Sequence, residues 1–225
     1  MALELFWGSG SPYSWRVQLA LEYKGLRYES HLLQFSKQEH KAPLLLRMNP
    51  RGRVPVLKDG DYVVFESLSI LAYLDRKYPE PPLFGRNPEE AAIVMRVISE
   101  YQAYVENHLL QIVYAVFFEN MDERLEEVTK AIHAVASEAR TIEGRLSKSD
   151  WLVGDLPSAA DFVVFPGIML LLRAMEKREA GDLRSRFLPL ETTHPAIARW
   201  IARVEALPGY ARTFPPHWRD GPARG

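Results

Sequence analysis

Leu3-Glu4-Leu5-Phe6-Trp7, Gly8-Ser9-Gly10-Ser11-Pro12 and Tyr13-Ser14-Trp15-Arg16-Val17 follow one another without a break near the start of the chain. The first five residues carry a short, apolar-rich strand pattern and the next five are turn formers. Ser11-Pro12 is a helix-start signal, with serine as N-cap and proline as the first helical residue. Trp15, Val17, Leu19, Ala20, Leu21 and Tyr23 then fit a helix that Gly25 is placed to end. Arg27 to Leu33 alternates enough to be a second strand. Strand, helix and strand in this order predict two parallel strands joined by a crossover helix.

Outward from that unit, Lys37 to Met48 is polar and then leucine-rich. It predicts a helix ending at Asn49-Pro50, because a residue before proline avoids helical geometry. Val54 to Leu57 and Tyr62 to Phe65 predict two strands around the hairpin signal Lys58-Asp59-Gly60-Asp61. Glu66 to Tyr78 puts Leu68, Ile70, Leu71 and Leu74 at helical spacing. The first third therefore reads βαβαββα. Pro79-Glu80-Pro81-Pro82, Gly85 and Pro88 form a stiff, helix-breaking connector. The expected organisation is an α/β domain at 1–78, a linker at 79–88 and an all-helical domain at 89–225, with helices near 89–119, 123–147, 158–177 and 194–206.

The chain has 225 residues, 47% of them hydrophobic, and 28 basic against 29 acidic residues leave a net charge of −1. Such a balance supplies no field to gather nucleic acid or an anionic membrane, so neither is an expected partner and any anion site must be local. The absence of cysteine excludes disulfides, thiolate metal sites and a protein thiol as nucleophile. Any thiol chemistry has to use a thiol brought in, and no metal is expected. Phe162 to Leu172, the longest strongly apolar run, is broken by Pro166 and falls short of the roughly 18 residues of a membrane span. The first residues carry no signal-peptide pattern, and a cytoplasmic protein is expected.

Several residues have two local readings. Ser11 serves as a cap, and a hydroxyl at a helix N-terminus also stands where the helix dipole stabilises an anion. Pro55 after Val54 reads as a strand-edge proline, and only about 5–6% of such bonds are cis. Arg53 and Lys41 read as solvated cations. Glu66-Ser67 before an apolar helix reads as N-terminal capping. Ser158 followed by Asp161 is a capping box in its own right.

Taken together and in order, Ser11-Pro12-Tyr13-Ser14-Trp15-Arg16-Val17, Asn49-Pro50-Arg51-Gly52-Arg53-Val54-Pro55-Val56-Leu57 and Glu66-Ser67-Leu68-Ser69-Ile70 resemble the glutathione-site signature of the soluble glutathione transferases. The first block is similar to serine-type members, the tau and zeta classes in particular. Gly154 to Asp161 resembles the C-terminal capping box of that family. The resemblance implies a thioredoxin-like domain joined to a helical one, with glutathione as co-substrate. It implies that Ser11 donates a hydrogen bond to the glutathione sulfur. The Val54 backbone would pair with the cysteinyl part beside a cis Pro55, and Glu66 and Ser67 would receive the γ-glutamyl end. Arg53 and Lys41 would meet the glycine carboxylate. Glutathione offers two carboxylates and one ammonium, and these blocks hold receptors for each.

Tyr13 stands where the zeta signature has a cysteine, which argues against a maleylacetoacetate isomerase, and the missing cysteine argues against thiol exchange. The reaction expected by resemblance is attack of glutathione thiolate on an electrophilic, largely apolar small molecule by a homodimer. The alternatives are a glutathione-dependent peroxidase, isomerase or dehalogenase, or a non-catalytic adaptor of the same fold. Tyr13, Tyr104, His108 and Tyr114 are candidates for the second-substrate pocket. A lone helical histidine is also a common surface residue, and Phe117 and Phe118 suit either that pocket or a core.

Overall fold

A computed structural model describes residues 3–118 and 122–219. The chain divides into two compact units, Met1–Leu83 with Ala206–Gly225, and Phe84–Glu205.

The first unit is a four-stranded mixed sheet in the order β2-β1-β3-β4, with β1 at Leu3–Trp7, β2 at Tyr28–Leu32, β3 at Val56–Asp59 and β4 at Tyr62–Phe65. The β1–β2 pair is parallel, as the strand-helix-strand pattern predicts, and β3 is antiparallel to both β1 and β4. Between the strands lie α1 (Pro12–Tyr23), α2 (Pro43–Met48) and α3 (Ser67–Lys77), so the unit is the thioredoxin-like βαβαββα. Phe6 and Val56 pack against Leu45 and Met48 of α2 on one face of the sheet. Strand alternation turns Leu3, Leu5 and Leu57 to the other face. These residues are buried, as are Val17 and Leu21 of α1 and Ile70, Leu71 and Leu74 of α3. Helices α1 and α3 pack on each other.

Two expectations for this unit need correction. The helix read over 37–48 is two single 3-10 turns, Phe35–Lys37 and Glu39–Lys41, followed by the short α2. Pro43 forces Ala42 into extended backbone (φ −61°, ψ 148°), and α2 can only start there. The strand read over 54–57 begins at Val56, because Pro55 has no N–H for the ladder. It runs on to Asp59, where Lys58 pairs with Glu4 across the strands at 2.6 Å. The connector is anchored to this unit at its start: the buried Lys24 Nζ donates to the Tyr78 and Pro81 carbonyls at 2.6 Å each.

A further difference concerns the tail, assigned above to the all-helical domain at 89–225. Residues 206–219 fold with the first unit, through α10 (Tyr210–Thr213) and a 3-10 turn at Pro216–Trp218. Of the tail stretch His217 to Gly221, Asp220 and Gly221 lie outside the described residues.

The second unit holds α4 (Pro88–Tyr101), α5 (Asn107–Phe118), α6 (Leu125–Leu146), α7 (Ala159–Met175), α8 (Leu190–Thr193) and α9 (Pro195–Glu205). The helix read over 89–119 is interrupted by a π turn at Gln102–Glu106. The Ser158–Asp161 capping box forms as read, and Asp161 also accepts hydrogen bonds from the Leu152 N–H at 3.0 Å and Trp200 Nε1 at 2.8 Å. No described helix is long and apolar enough to cross a membrane.

His194, beside the start of α9, is buried in an apolar cavity with Leu190, Ile197 and Phe187, and its Nδ1 has no hydrogen-bond partner among the described residues. Burial depresses its pKa, with Glu143 opposing and Arg140 adding to the effect. The fold therefore prefers the neutral ring. Its contribution to stability is complete above the ordinary histidine value near 6.5 and is lost as pH falls below it. The thermal midpoint is expected to drop between pH 7 and 5 in the parent and to drop less in His194→Gln, as scanning calorimetry at several pH values would show.

Candidate functional site

Sheet register places the candidate residues of the first unit along one edge. Phe6 pairs with Val56, and Val56 with Phe65. The segment leaving β1, the residues entering β3 and the residue leaving β4 are therefore neighbours. They are Gly8–Ser11, Val54-Pro55 and Glu66.

Ser11 has extended backbone (φ −72°, ψ 116°), and its Oγ accepts the Ser14 N–H at 3.2 Å, capping α1. A hydroxyl has two acceptor positions and one donor. Capping uses one acceptor position, and the Ser11 O–H has no acceptor among the described residues. It sits at the positive end of a helix of 12 residues. Ser14 differs: it is fully buried, and its Oγ accepts the Gly8 N–H at 3.4 Å. The Tyr13 ring lies 4.7 Å from the Arg16 guanidinium carbon.

Arg16 is a residue to which sequence reasoning gave no role. Only 1% exposed, it donates from Nη1 to Ser67 Oγ at 3.4 Å and so links the starts of α1 and α3. Its position on α1 carried no signal, since an arginine there reads as a solvated cation. Glu66 is the N-cap residue of α3, but its side chain makes no capping bond, which corrects the local capping reading. Its backbone is left-handed (φ 69°, ψ 117°), a conformation that costs a non-glycine residue about 1–3 kcal/mol. The residue is exposed at the N-terminal end of α3.

The loop before β3 is organised by Asn49, which is buried. Its Nδ2 donates to the Arg53 carbonyl at 2.9 Å, and its Oδ1 accepts the Arg51 N–H at 3.1 Å. The Val54–Pro55 bond is cis, and the Val54 backbone makes no hydrogen bond among the described residues. Arg53 and Lys41 are exposed. Lys41 Nζ donates to the Arg51 carbonyl at 3.3 Å, and its stem covers Gly52 (φ 55°), where a Cβ would come within 2.8 Å of Lys41 Cδ. The loop before β3 thus carries Arg53 and the open backbone of Val54, and Lys41 reaches it from the 3-10 turn at Glu39–Lys41 on the other side of α2.

The remaining candidates lie on the helical unit. Tyr104 falls within the π turn and is exposed, as is Tyr114, which packs on Phe118 at 5.8 Å between ring centroids. His108 is half-buried, its Nδ1 lies 3.3 Å from Gln111 Oε1, and the Lys177 ammonium lies 5.7 Å from the Phe117 ring centroid.

The first unit thus combines a thioredoxin-like sheet with a helix-terminal hydroxyl at Ser11, exposed cations at Arg53 and Lys41 and an exposed carboxylate at Glu66. The glutathione S-transferase N-terminal domain matches residues 1–76, and the glutathione S-transferase C-terminal domain matches residues 105–208. Glutathione S-transferase A of Pleuronectes platessa is 29% identical, over 98% of this chain and 94% of its own length. Maleylacetoacetate isomerase of Pseudomonas aeruginosa is 30% identical, over 88% of this chain and 93% of its own. The crystal structure of a glutathione S-transferase from the Antarctic clam Laternula elliptica superposes with a TM-score of 0.84 at 28% identity, over 98% of this chain and 95% of that one. The chain belongs to the glutathione S-transferase family, and it is a glutathione transferase.

Proposed function

We propose that the sheet rim binds glutathione and that Ser11 activates its thiol for attack on an electrophilic, largely apolar small molecule. The observation that carries this reading is the Ser11 hydroxyl: it caps α1 through its oxygen and keeps its hydrogen for a ligand. Glu66 receives the ammonium of the γ-glutamyl end, Ser67 and the α3 N-terminus receive its carboxylate, and Arg53 and Lys41 receive the glycine carboxylate. The Val54 backbone, before cis Pro55, pairs with the cysteinyl peptide.

A free thiol near 8.5 is about 3% ionised at pH 7, whereas one near 6.5 is mostly thiolate. That shift corresponds to about 2.7 kcal/mol. A charge-assisted hydrogen bond of about 1.5–3 kcal/mol and a helix-terminus contribution of about 0.3–1 kcal/mol are of that size. Tyr13 of the first unit, and Tyr104, His108 and Tyr114 of the second, are each proposed to take part in recognising the electrophilic substrate. The protein is proposed to be cytoplasmic.

Arg53→Ala and Glu66→Ala are each expected to weaken glutathione binding by roughly 10- to 150-fold, the factor carried by about 1.5–3 kcal/mol of charge-assisted contact. Calorimetric titration tests this, and unchanged affinity in both variants would remove the site. A homodimer is also proposed, in keeping with the exposed Ile93 and Met95 on α4. Light scattering at micromolar concentration should give twice the chain mass, and a monomer would count against it. A second reading, glutathione-dependent isomerisation, is favoured by the similarity to the Pseudomonas isomerase. Parallel assays with an aryl halide and with a maleyl substrate separate the two.

A further inference from the structure

The last described residues form a strap clamped to α1. Trp15 donates from Nε1 to Thr213 Oγ1 at 2.9 Å, and its ring meets those of Tyr210, Phe214 and Trp218 at 6.4, 5.9 and 5.4 Å between centroids. Arg212 donates from Nε to Glu22 Oε2 at 2.9 Å. Thr213 and Trp218 are buried. At the far end of this strap, His217 Nδ1 lies 2.6 Å from Ser9 Oγ, and the imidazole lies over Gly10, where a Cβ would stand 2.7 Å from His217 Cε1. Ser9 and Gly10 immediately precede Ser11.

The geometry points to His217 as a positioning residue for thiol activation: the strap holds the Ser9-Gly10 turn and thereby sets the direction of the Ser11 hydroxyl. Gly10 is in the left-handed region (φ 80°), the permissive joint from which the Ser11 backbone departs. A Gly-Ser turn without a clamp samples several backbone states, and a donor displaced by about 1 Å loses much of its effect on a reacting atom. From inside the turn, Ser14 Oγ holds the Gly8 N–H, and from outside His217 holds Ser9 and covers Gly10. His217 need not touch glutathione for this. The inference rests on the reading of Ser11 as the sulfur donor.

The test uses the full chain and the ultraviolet thiolate absorbance of bound glutathione as a function of pH, with kcat and KM for an aryl-halide acceptor. The variants are Ser11→Ala, Ser9→Ala, His217→Ala, His217→Asn and the Ser9→Ala/His217→Ala pair, each checked for parental thermal unfolding. Ser9→Ala and His217→Ala are each expected to lower kcat by about three- to tenfold, the factor of one net hydrogen bond, with KM for glutathione little changed. The bound thiol should ionise at higher pH in both. The paired variant should be no worse than either single one, because both remove the same contact. His217→Asn, which keeps a polar atom near the Nδ1 position, should recover most of the loss. Should His217→Ala fail to fold, Ser9→Ala reads the same contact from the other side. Ser11→Ala with a parental thiolate overturns the Ser11 reading and this inference with it. Loss of thiolate in Ser11→Ala, beside a parental thiolate in Ser9→Ala and His217→Ala, overturns this inference alone.

Discussion

Ser11→Ala is expected to lower turnover by tenfold or more, and by roughly a hundredfold if the hydroxyl contributes the on the order of 3 kcal/mol typical of a transition-state donor. The hydroxyl is poised for this because its oxygen is already fixed by the Ser14 N–H, which orients the side chain without consuming its hydrogen. Glutathione affinity should change far less, since the peptide contacts proposed above lie on the 49–54 loop and at the start of α3. The pH profile should move upward, because a thiol that has lost a donor to its anionic form ionises later. The comparison variants are Tyr13→Phe and Ser14→Ala. Ser14→Ala removes an acceptor from the buried Gly8 N–H and should lower stability more than it alters the profile. Parental activity in Ser11→Ala together with lost activity in Tyr13→Phe would move the catalytic role to Tyr13.

Asp161→Ala is expected to be the most damaging single change to the fold. The buried carboxylate accepts from the Leu152 N–H, the Ser158 N–H and hydroxyl, and Trp200 Nε1 at 2.8–3.0 Å. Truncation leaves three N–H donors in a dry interior, each costing about 1–3 kcal/mol, so a loss of roughly 3–9 kcal/mol follows. Asp161→Asn keeps the shape but brings two hydrogens of its own against those donors, and should be intermediate. Chemical denaturation of both variants measures this, and a loss under about 1 kcal/mol in Asp161→Ala would contradict the role given to the box. Burial raises the Asp161 pKa even though all its neighbours donate to it. Its contribution is therefore complete below the ordinary aspartate range and declines as pH rises through the raised value.

Local pattern was enough for the strand-turn-helix opening, the hairpin and the capping box, because each is dictated within about ten residues by periodicity and turn chemistry. It failed where a local signal competed with another. The leucines of 44–46 suggested a longer helix, but Pro43 dominates the backbone before them. The charged Lys58 and Asp59 looked like turn residues, yet they end a strand because Glu4 and the ladder of β1 lie opposite. It had nothing to say where the determinant is remote. Trp15 and Trp218 meet across the length of the chain, so neither the order of the tail nor its approach to Ser9 leaves a periodic trace. Arg16 is comparable: its burial follows from α3 packing on α1, which no window around residue 16 contains. The rim was legible as three separate blocks. That they share one edge follows from the register that pairs Phe6, Val56 and Phe65 in a row.

A crystal structure of the complex with glutathione tests the assignment of the rim most directly. The sulfur is expected within hydrogen-bond reach of Ser11 Oγ, with the cysteinyl peptide paired to the Val54 backbone and the γ-glutamyl end between Glu66 and Ser67. Glutathione bound with its sulfur on Tyr13, or bound away from the 8–11, 53–55 and 66–67 segments, would contradict it.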